Sequence, residues 1–164
     1  MKKENITIPV CIKLDAELTD TEKALRDKAI AATYRSYSPY SHFAVGAALE
    51  LADGTIICGS NQENAAYPSG LCAERTAMFY ANASRPDAAI KRLCITARGT
   101  DGQLVAQPIS PCGACRQSLL EAETRYGNDI EVMLYGSEKT YVLRSIKDLL
   151  PLSFSQDDLY NHDK

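Results

Sequence analysis

Two short cysteine-bearing segments constrain this chain more than anything else in it. One is Gly70-Leu71-Cys72-Ala73-Glu74-Arg75, and the other is Ser110-Pro111-Cys112-Gly113-Ala114-Cys115-Arg116. Cys112 and Cys115 stand three residues apart. At the start of a helix that spacing puts both sulfurs on one face, close enough to share an ion. Cys72 opens a helix of its own and can supply a third thiolate. Helix N-termini favour thiolate over thiol, because their exposed N–H groups carry partial positive charge. Three protein ligands leave one tetrahedral position open, the mark of a catalytic rather than a structural zinc site.

Glu74 lies two residues after Cys72. In a first helical turn, a side chain two positions beyond a ligand points beside the metal and does not bind it. A carboxylate there can take a proton from a zinc-activated water and pass it to a substrate. Three thiolates on Zn²⁺ leave a net charge of −1, which blunts the ion's acidity. Arg75 can offset that charge by donating to a thiolate from outside the ligand set.

The rest of the chain supplies an α/β frame. Thr19-Asp20-Thr21-Glu22 reads as a capping box, followed by a helix from about Asp20 to Tyr34 with Leu25, Ala29 and Ala32 on one face. Ala44 to Leu51 reads as a strand, Asp53-Gly54 as a hairpin turn, and Thr55 to Cys58 as the returning strand. A second helix is expected over Cys72 to Ala83, and a strand over Ile90 to Ala97. Thr100-Asp101-Gly102 is a turn, with Val105 in a short extended return. Pro111 is expected in the first turn of a third helix that runs to about Thr124. Strands over Ile130–Tyr135 and Thr140–Arg144 and a short helix over Ser145–Leu149 complete the pattern. Residues 1–18 read as an irregular arm and 156–164 as a loose polar tail. The order implies one domain over residues 1–164, an α/β sandwich whose mixed sheet of about five strands is covered by helices.

Composition narrows the function. The formal charge of −3 argues against a broad nucleic-acid surface, which needs clustered positive charge. No stretch approaches the ~20 apolar residues that span a bilayer, and the N-terminus has no apolar core of signal-peptide length. A cytoplasmic location is therefore expected, where six cysteines do not form a disulfide framework.

At the two cysteine segments the chain closely resembles the cytidine deaminase family, in its small three-cysteine form. Further blocks match in the family's order: Tyr37 to Phe43 with Val45 to Leu49, Asn61 to Ala65, Cys72 to Ala77, and Pro111 to Gln117. The resemblance spans about residues 20 to 159. It implies the family's three-layer α/β/α sandwich and one Zn²⁺ per subunit on Cys72, Cys112 and Cys115. It implies hydrolysis of cytidine and 2′-deoxycytidine, with Glu74 as the proton carrier. Asn61 and Glu63 would bind the ribose 3′-hydroxyl, Phe43 would pack on the nucleoside, and the backbone at Ala65 and Ala73 would read the base. Phe154 matches an aromatic that stacks on the base in a neighbouring subunit's site. That match implies a homotetramer with shared active sites, with Tyr40 at an interface. Two departures are visible. Tyr67-Pro68-Ser69-Gly70-Leu71 replaces the usual loop before the first ligand, and the extra length between Cys72 and Cys112 falls at Thr100–Gln107, away from the metal.

Other readings compete. A structural zinc knuckle would need a fourth ligand from Cys11, Cys58, Cys94, His42 or His162, none with paired spacing. Cys11, Cys58 and Cys94 read more simply as small buried hydrophobes, and His42 as a hydrogen-bonded histidine. A deaminase of a related nucleoside such as blasticidin S, a non-enzymatic zinc module and an editor of bases in polynucleotides are the functional rivals.

Overall fold

The computed structural model of the chain describes residues 1–160. Helix α1 (Asp20–Thr33) starts where the capping box places it. The Thr19 hydroxyl accepts the Glu22 N–H at 3.3 Å, and Glu22 accepts the Thr19 N–H at 2.7 Å. Strand β2 (Ala44–Leu51) and strand β3 (Ile56–Ser60) form a hairpin. At its turn Asp53 accepts the Thr55 N–H at 2.9 Å, and Gly54 takes a φ of +82°. Helix α2 (Ala73–Ser84), strand β4 (Ile90–Arg98), helix α3 (Gly113–Tyr126) and strand β5 (Glu131–Tyr135) follow. Strand β6 (Thr140–Leu143) then leads into a 3₁₀ turn at Ile146–Leu149.

The sheet has six strands, one more than the sequence pattern suggests. The extra edge strand is Cys11–Lys13 in the arm, here β1, which pairs antiparallel with β6. Three residues are too few to show a strand period, so only the open edge of β6 makes this segment extended. The strand order is β1-β6-β5-β4-β2-β3. The pair β4–β5 is parallel and the other neighbours are antiparallel, so the sheet is mixed as expected.

Alternation along the strands divides the core into two layers. Ala47, Leu49, Leu93, Ile95, Val132 and Leu134 face α2 and α3. Ala48, Cys94, Met133 and Val142 face α1, where Leu25 and Ala29 meet them. Glycine lets the helices approach closely. A Cβ on Gly46 would sit 2.1 Å from the Ala29 carbonyl oxygen, and one on Gly59 would sit 2.4 Å from that of Ala73.

Topology brings the cysteines together. Strands β3 and β4 both run antiparallel to β2, so they point the same way and end on the same side of the sheet. Helix α2 follows β3, helix α3 follows β4, and both pack on one face. Their N-termini therefore converge beyond the strand ends, the usual ligand position in α/β sheets.

Most element ends differ from the sequence reading by a residue or two, and three differences bear on the site or the tail. The first helix ends at Thr33, with Tyr34 as its cap. Pro111 lies one residue before the α3 cap rather than in its first turn, because Cys112 takes the extended cap conformation. The tail contains a short helix, α4 (Gln156–Tyr160), held at its start by Asp158 accepting the Ser155 N–H at 2.7 Å. Among the described residues no helix is long and apolar enough to cross a membrane. His162 and the end of the tail lie outside them.

Candidate functional site

Cys72 and Cys112 are the cap residues of α2 and α3, and neither thiol accepts a capping hydrogen bond. Each cap position leaves its sulfur beside the first, unpaired N–H groups of its helix. Cys115 sits in the first turn of α3. The Cys72–Cys112 sulfur separation is 3.7 Å and that of Cys112–Cys115 is 3.4 Å. The three sulfurs all lie within 4.8 Å of one another, and all six cysteines are free.

These separations fit a metal. Zinc holds thiolates at about 2.3 Å, which in a tetrahedron sets sulfurs about 3.8 Å apart. Among the described residues no fourth His, Cys, Asp or Glu joins the group. Cys94 is instead fully buried in the α1-side core, as a small hydrophobe, whereas Cys11 and Cys58, expected to be buried in the same way, are exposed.

Glu74, at the second position of α2, is only 4% exposed. Burial pushes its carboxyl above the usual carboxylate range, and the negative Cys72 pushes the same way. Hydrogen bonds from Cys115, then Cys112 and Arg75, hold the Cys72 thiol down to about 5 against the effect of burial. The Cys115 thiol is driven up by the same bond to Cys72. Burial works against the Arg75 cation, but Cys72 and Cys115 outweigh it. The Arg75 Nε is buried without a hydrogen-bond partner of its own, so it stands ready to donate as the sulfurs become negative.

A cavity of about 500 Å³ opens against Cys72 and Arg75. Glu63 lines it, with its carboxylate accepting the backbone N–H of Tyr40 at 2.9 Å and of Ser41 at 3.2 Å. A hydrogen bond from the Ser41 side chain is the chief reason this carboxyl lies below its ordinary range. Asn61 also lines the cavity, but its amide is already engaged. Its Oδ1 accepts from Ser36 Oγ at 2.6 Å and from the Val45 N–H at 2.8 Å, and its Nδ2 donates to the Phe43 carbonyl at 2.9 Å. Asn61 thus staples the start of β2 to the end of β3 and keeps one N–H available.

The other expected contacts lie off this cavity, as do Glu74, Cys112 and Cys115. Phe43 is half-buried just before β2, and Ala65 is exposed in the loop after β3. Ala73 is fully buried, with its carbonyl against Gly59. Phe154 is 58% exposed on the C-terminal segment. Two tyrosines that the sequence pattern did not mark as a pair, Tyr40 and Tyr67, meet edge to face at 6.2 Å on the cavity wall.

The unusual loop before Cys72 makes a 3₁₀ turn over Tyr67–Ser69, with Pro68 in the first turn. It closes with two hydrogen bonds between Gln62 and Leu71, at 2.8 and 2.9 Å. That pairing hands the chain to Cys72 in a fixed register. The added stretch 100–107 folds back through the Val105 N–H on the Ala97 carbonyl at 3.0 Å. Its Leu104 packs in the α1-side core, across the sheet from the helices that carry the cysteines.

Comparison with known proteins points to one family. Residues 19–126 match the family described as "Cytidine and deoxycytidylate deaminase zinc-binding region". The cytidine deaminase of Halalkalibacterium halodurans is 39% identical over 134 residues, covering 80% of this chain and 92% of that one. The cytidine deaminase of Sporosarcina psychrophila is 41% identical over 140 residues, covering 85% and 95%. The crystal structure of cytidine deaminase from Burkholderia pseudomallei superposes with a TM-score of 0.70 at 37% identity, covering 84% of this chain and 100% of that one.

Proposed function

The chain belongs to the cytidine and deoxycytidylate deaminase family, and on that footing we propose that it is a zinc-dependent hydrolase converting cytidine and 2′-deoxycytidine to the uridines with release of ammonia. The observation that carries this reading is the cluster of three sulfurs with a buried carboxyl two residues beyond its first member. Cys72, Cys112 and Cys115 would hold one zinc per subunit. When bound, the ion supplies Lewis acidity that lets water attack near neutral pH.

Glu74 does the proton work. Its raised carboxyl takes the proton from the attacking water as the new bond to C4 of the base forms. It delivers that proton to the ring nitrogen, where the uridine product keeps it, and then carries the remaining hydroxyl proton to the exocyclic amine, so that C4=O forms, the C4–N bond breaks and ammonia leaves. Arg75 offsets the excess negative charge of three thiolates. Asn61 and Glu63 would receive the ribose hydroxyl with one donor and one acceptor. Phe43 and the backbone of Ala65 and Ala73 would frame the base. Phe154, too exposed to act as core in its own subunit, would complete a neighbour's site in a homotetramer.

The cavity is lined by both an acidic and a basic group, and the net charge is −3. Both support a small neutral nucleoside over a polynucleotide. The reading extends to a single domain over 1–164 acting in cytoplasmic pyrimidine salvage. The test is an ultraviolet assay of purified protein on cytidine, 2′-deoxycytidine and blasticidin S, before and after zinc removal and restoration. Zinc-dependent turnover of the two nucleosides is expected. Turnover of the antibiotic alone, or none after zinc restoration, would overturn the assignment.

A further inference from the structure

We propose that Arg116 is a positioning residue for the sulfur cluster, fixing the peptide units on both sides of Cys112. The proposal rests on the reading of Cys72, Cys112 and Cys115 as a zinc site. Cys112 is the exposed member of the three, so packing alone does not hold its sulfur in place. Its backbone is held by Arg116 instead. The Arg116 N–H donates to the Cys112 carbonyl at 3.0 Å, the first bond of α3. The Arg116 Nε turns back to donate to the Pro111 carbonyl at 2.9 Å. Both carbonyls that bracket Cys112 thus end on one residue, and its φ and ψ cannot drift without breaking one of these bonds.

The other end of the guanidinium reaches away from the cysteines. Its Nη1 donates to the Leu149 carbonyl at 2.8 Å. Arg116 is half-buried, so these bonds are partly shielded from water. A planar fork can serve two carbonyls in fixed directions at once, which a single ammonium on a flexible stem cannot. The C-terminal segment thereby braces the peptide that presents Cys112.

Cys72 is held by comparable means with different residues. The Gln62 N–H takes the Leu71 carbonyl at 2.8 Å, and Thr76 takes the Cys72 carbonyl through its N–H at 3.0 Å and its hydroxyl at 3.1 Å. Each capping cysteine therefore has its own carbonyl and the preceding one occupied. At Cys112 one side chain supplies the bond that a strand-like pairing supplies at Cys72.

Gln117 provides an internal control. Its Nε2 donates to the Phe154 carbonyl at 2.9 Å, so it ties down the same C-terminal segment without touching the peptides around Cys112. The test measures zinc affinity by competition with a fluorescent chelator in wild type, R116A, R116K and Q117A, with thermal unfolding of each to verify folding. R116A should bind zinc about 10–100-fold more weakly, the usual loss for a partner just outside a ligand set. R116K should lie between R116A and wild type, and Q117A should match wild type. In R116A, excess zinc should restore kcat while the KM for cytidine stays unchanged. Wild-type affinity in R116A, or in R116K should R116A fail to fold, would overturn the proposal. So would an equal loss in Q117A, which would mean that loosening the C-terminal segment is enough. A wild-type protein that binds no zinc would remove the zinc reading itself, and Arg116 would then have nothing to position.

Discussion

Substituting Gly59 with alanine tests how the fold sets the sulfur geometry. Gly59 lies in β3, directly under the start of α2. The new Cβ would meet the Ala73 carbonyl oxygen at 2.4 Å, the Ala77 N at 2.5 Å and the Ala77 Cβ at 2.9 Å. The first two are backbone atoms, so no side chain can swing aside. Ordinary contact begins at 3.4 Å, so the first turn of α2 must move by about 1.0 Å or the strand must bend. Over-packing of this kind costs about 1–3 kcal/mol. The displaced turn begins with Ala73, next to Cys72. Metal–ligand distances tolerate only about ±0.2 Å, so a shift of that size degrades the site as well as the core. G59A should lower the apo-protein's urea midpoint by an amount equivalent to about 2 kcal/mol and weaken zinc at least ~10-fold. G54A is the comparison, since nothing lies within 4 Å of that Cβ but the φ of +82° disfavours a side chain. It should cost about 1 kcal/mol and leave zinc affinity intact. Wild-type stability and zinc affinity in G59A would refute the claim that helix-to-strand contact positions Cys72.

Three further outcomes are expected. E74Q should keep its zinc, measured by metal analysis, and lose about 10²–10⁴ in kcat; turnover near wild type would remove Glu74 from proton transfer. Glu22 is opposed by burial, but the Lys13 ammonium at 2.6 Å and the Thr19 N–H and hydroxyl together lower its folded pKa below 4.5. Its stabilisation is therefore present above pH 4.5 and fades as pH falls through the lower folded value; E22Q should lose about 1 kcal/mol at pH 7 and less in acid, by urea titration at several pH values. Buried Glu123 accepts from the Ile130 and Ile146 N–H groups, each at 2.8 Å, and from Ser145 Oγ. E123A should cost about 3 kcal/mol and expose the amides of 145–149 to hydrogen exchange; unchanged protection would refute this bracing role.

Local chemistry made much of the frame legible. The capping box marks the start of α1 because Thr19 and Glu22 satisfy each other's backbone groups within four residues. β2 is a mostly small apolar run interrupted only by Glu50, and Asp53-Gly54 has the conformational freedom its turn requires. The spacing of Cys112 and Cys115 and the helix start at Cys72 mark the three candidate sulfurs in the sequence. What carries Cys72 to the other two is the shared direction of β3 and β4, a property of the whole sheet and not of either segment. β1 escaped notice because its partner, β6, lies some 130 residues away in sequence. The structural load on Asn61 was hidden for the same reason, since its bonds reach Ser36, Phe43 and Val45, 16 to 25 residues earlier. Pro111 was placed in the first turn of α3 and stands just before its cap, because a proline suits either side of a cap.

X-ray absorption at the zinc edge of the wild-type protein and E74Q addresses the metal centre most directly. The account predicts three sulfurs at about 2.3 Å with one light atom in the fourth position, and the same spectrum in both proteins. Fewer than three sulfurs, a fourth sulfur, or a changed light-atom shell in E74Q would contradict an open three-cysteine site beside an unligated carboxyl group.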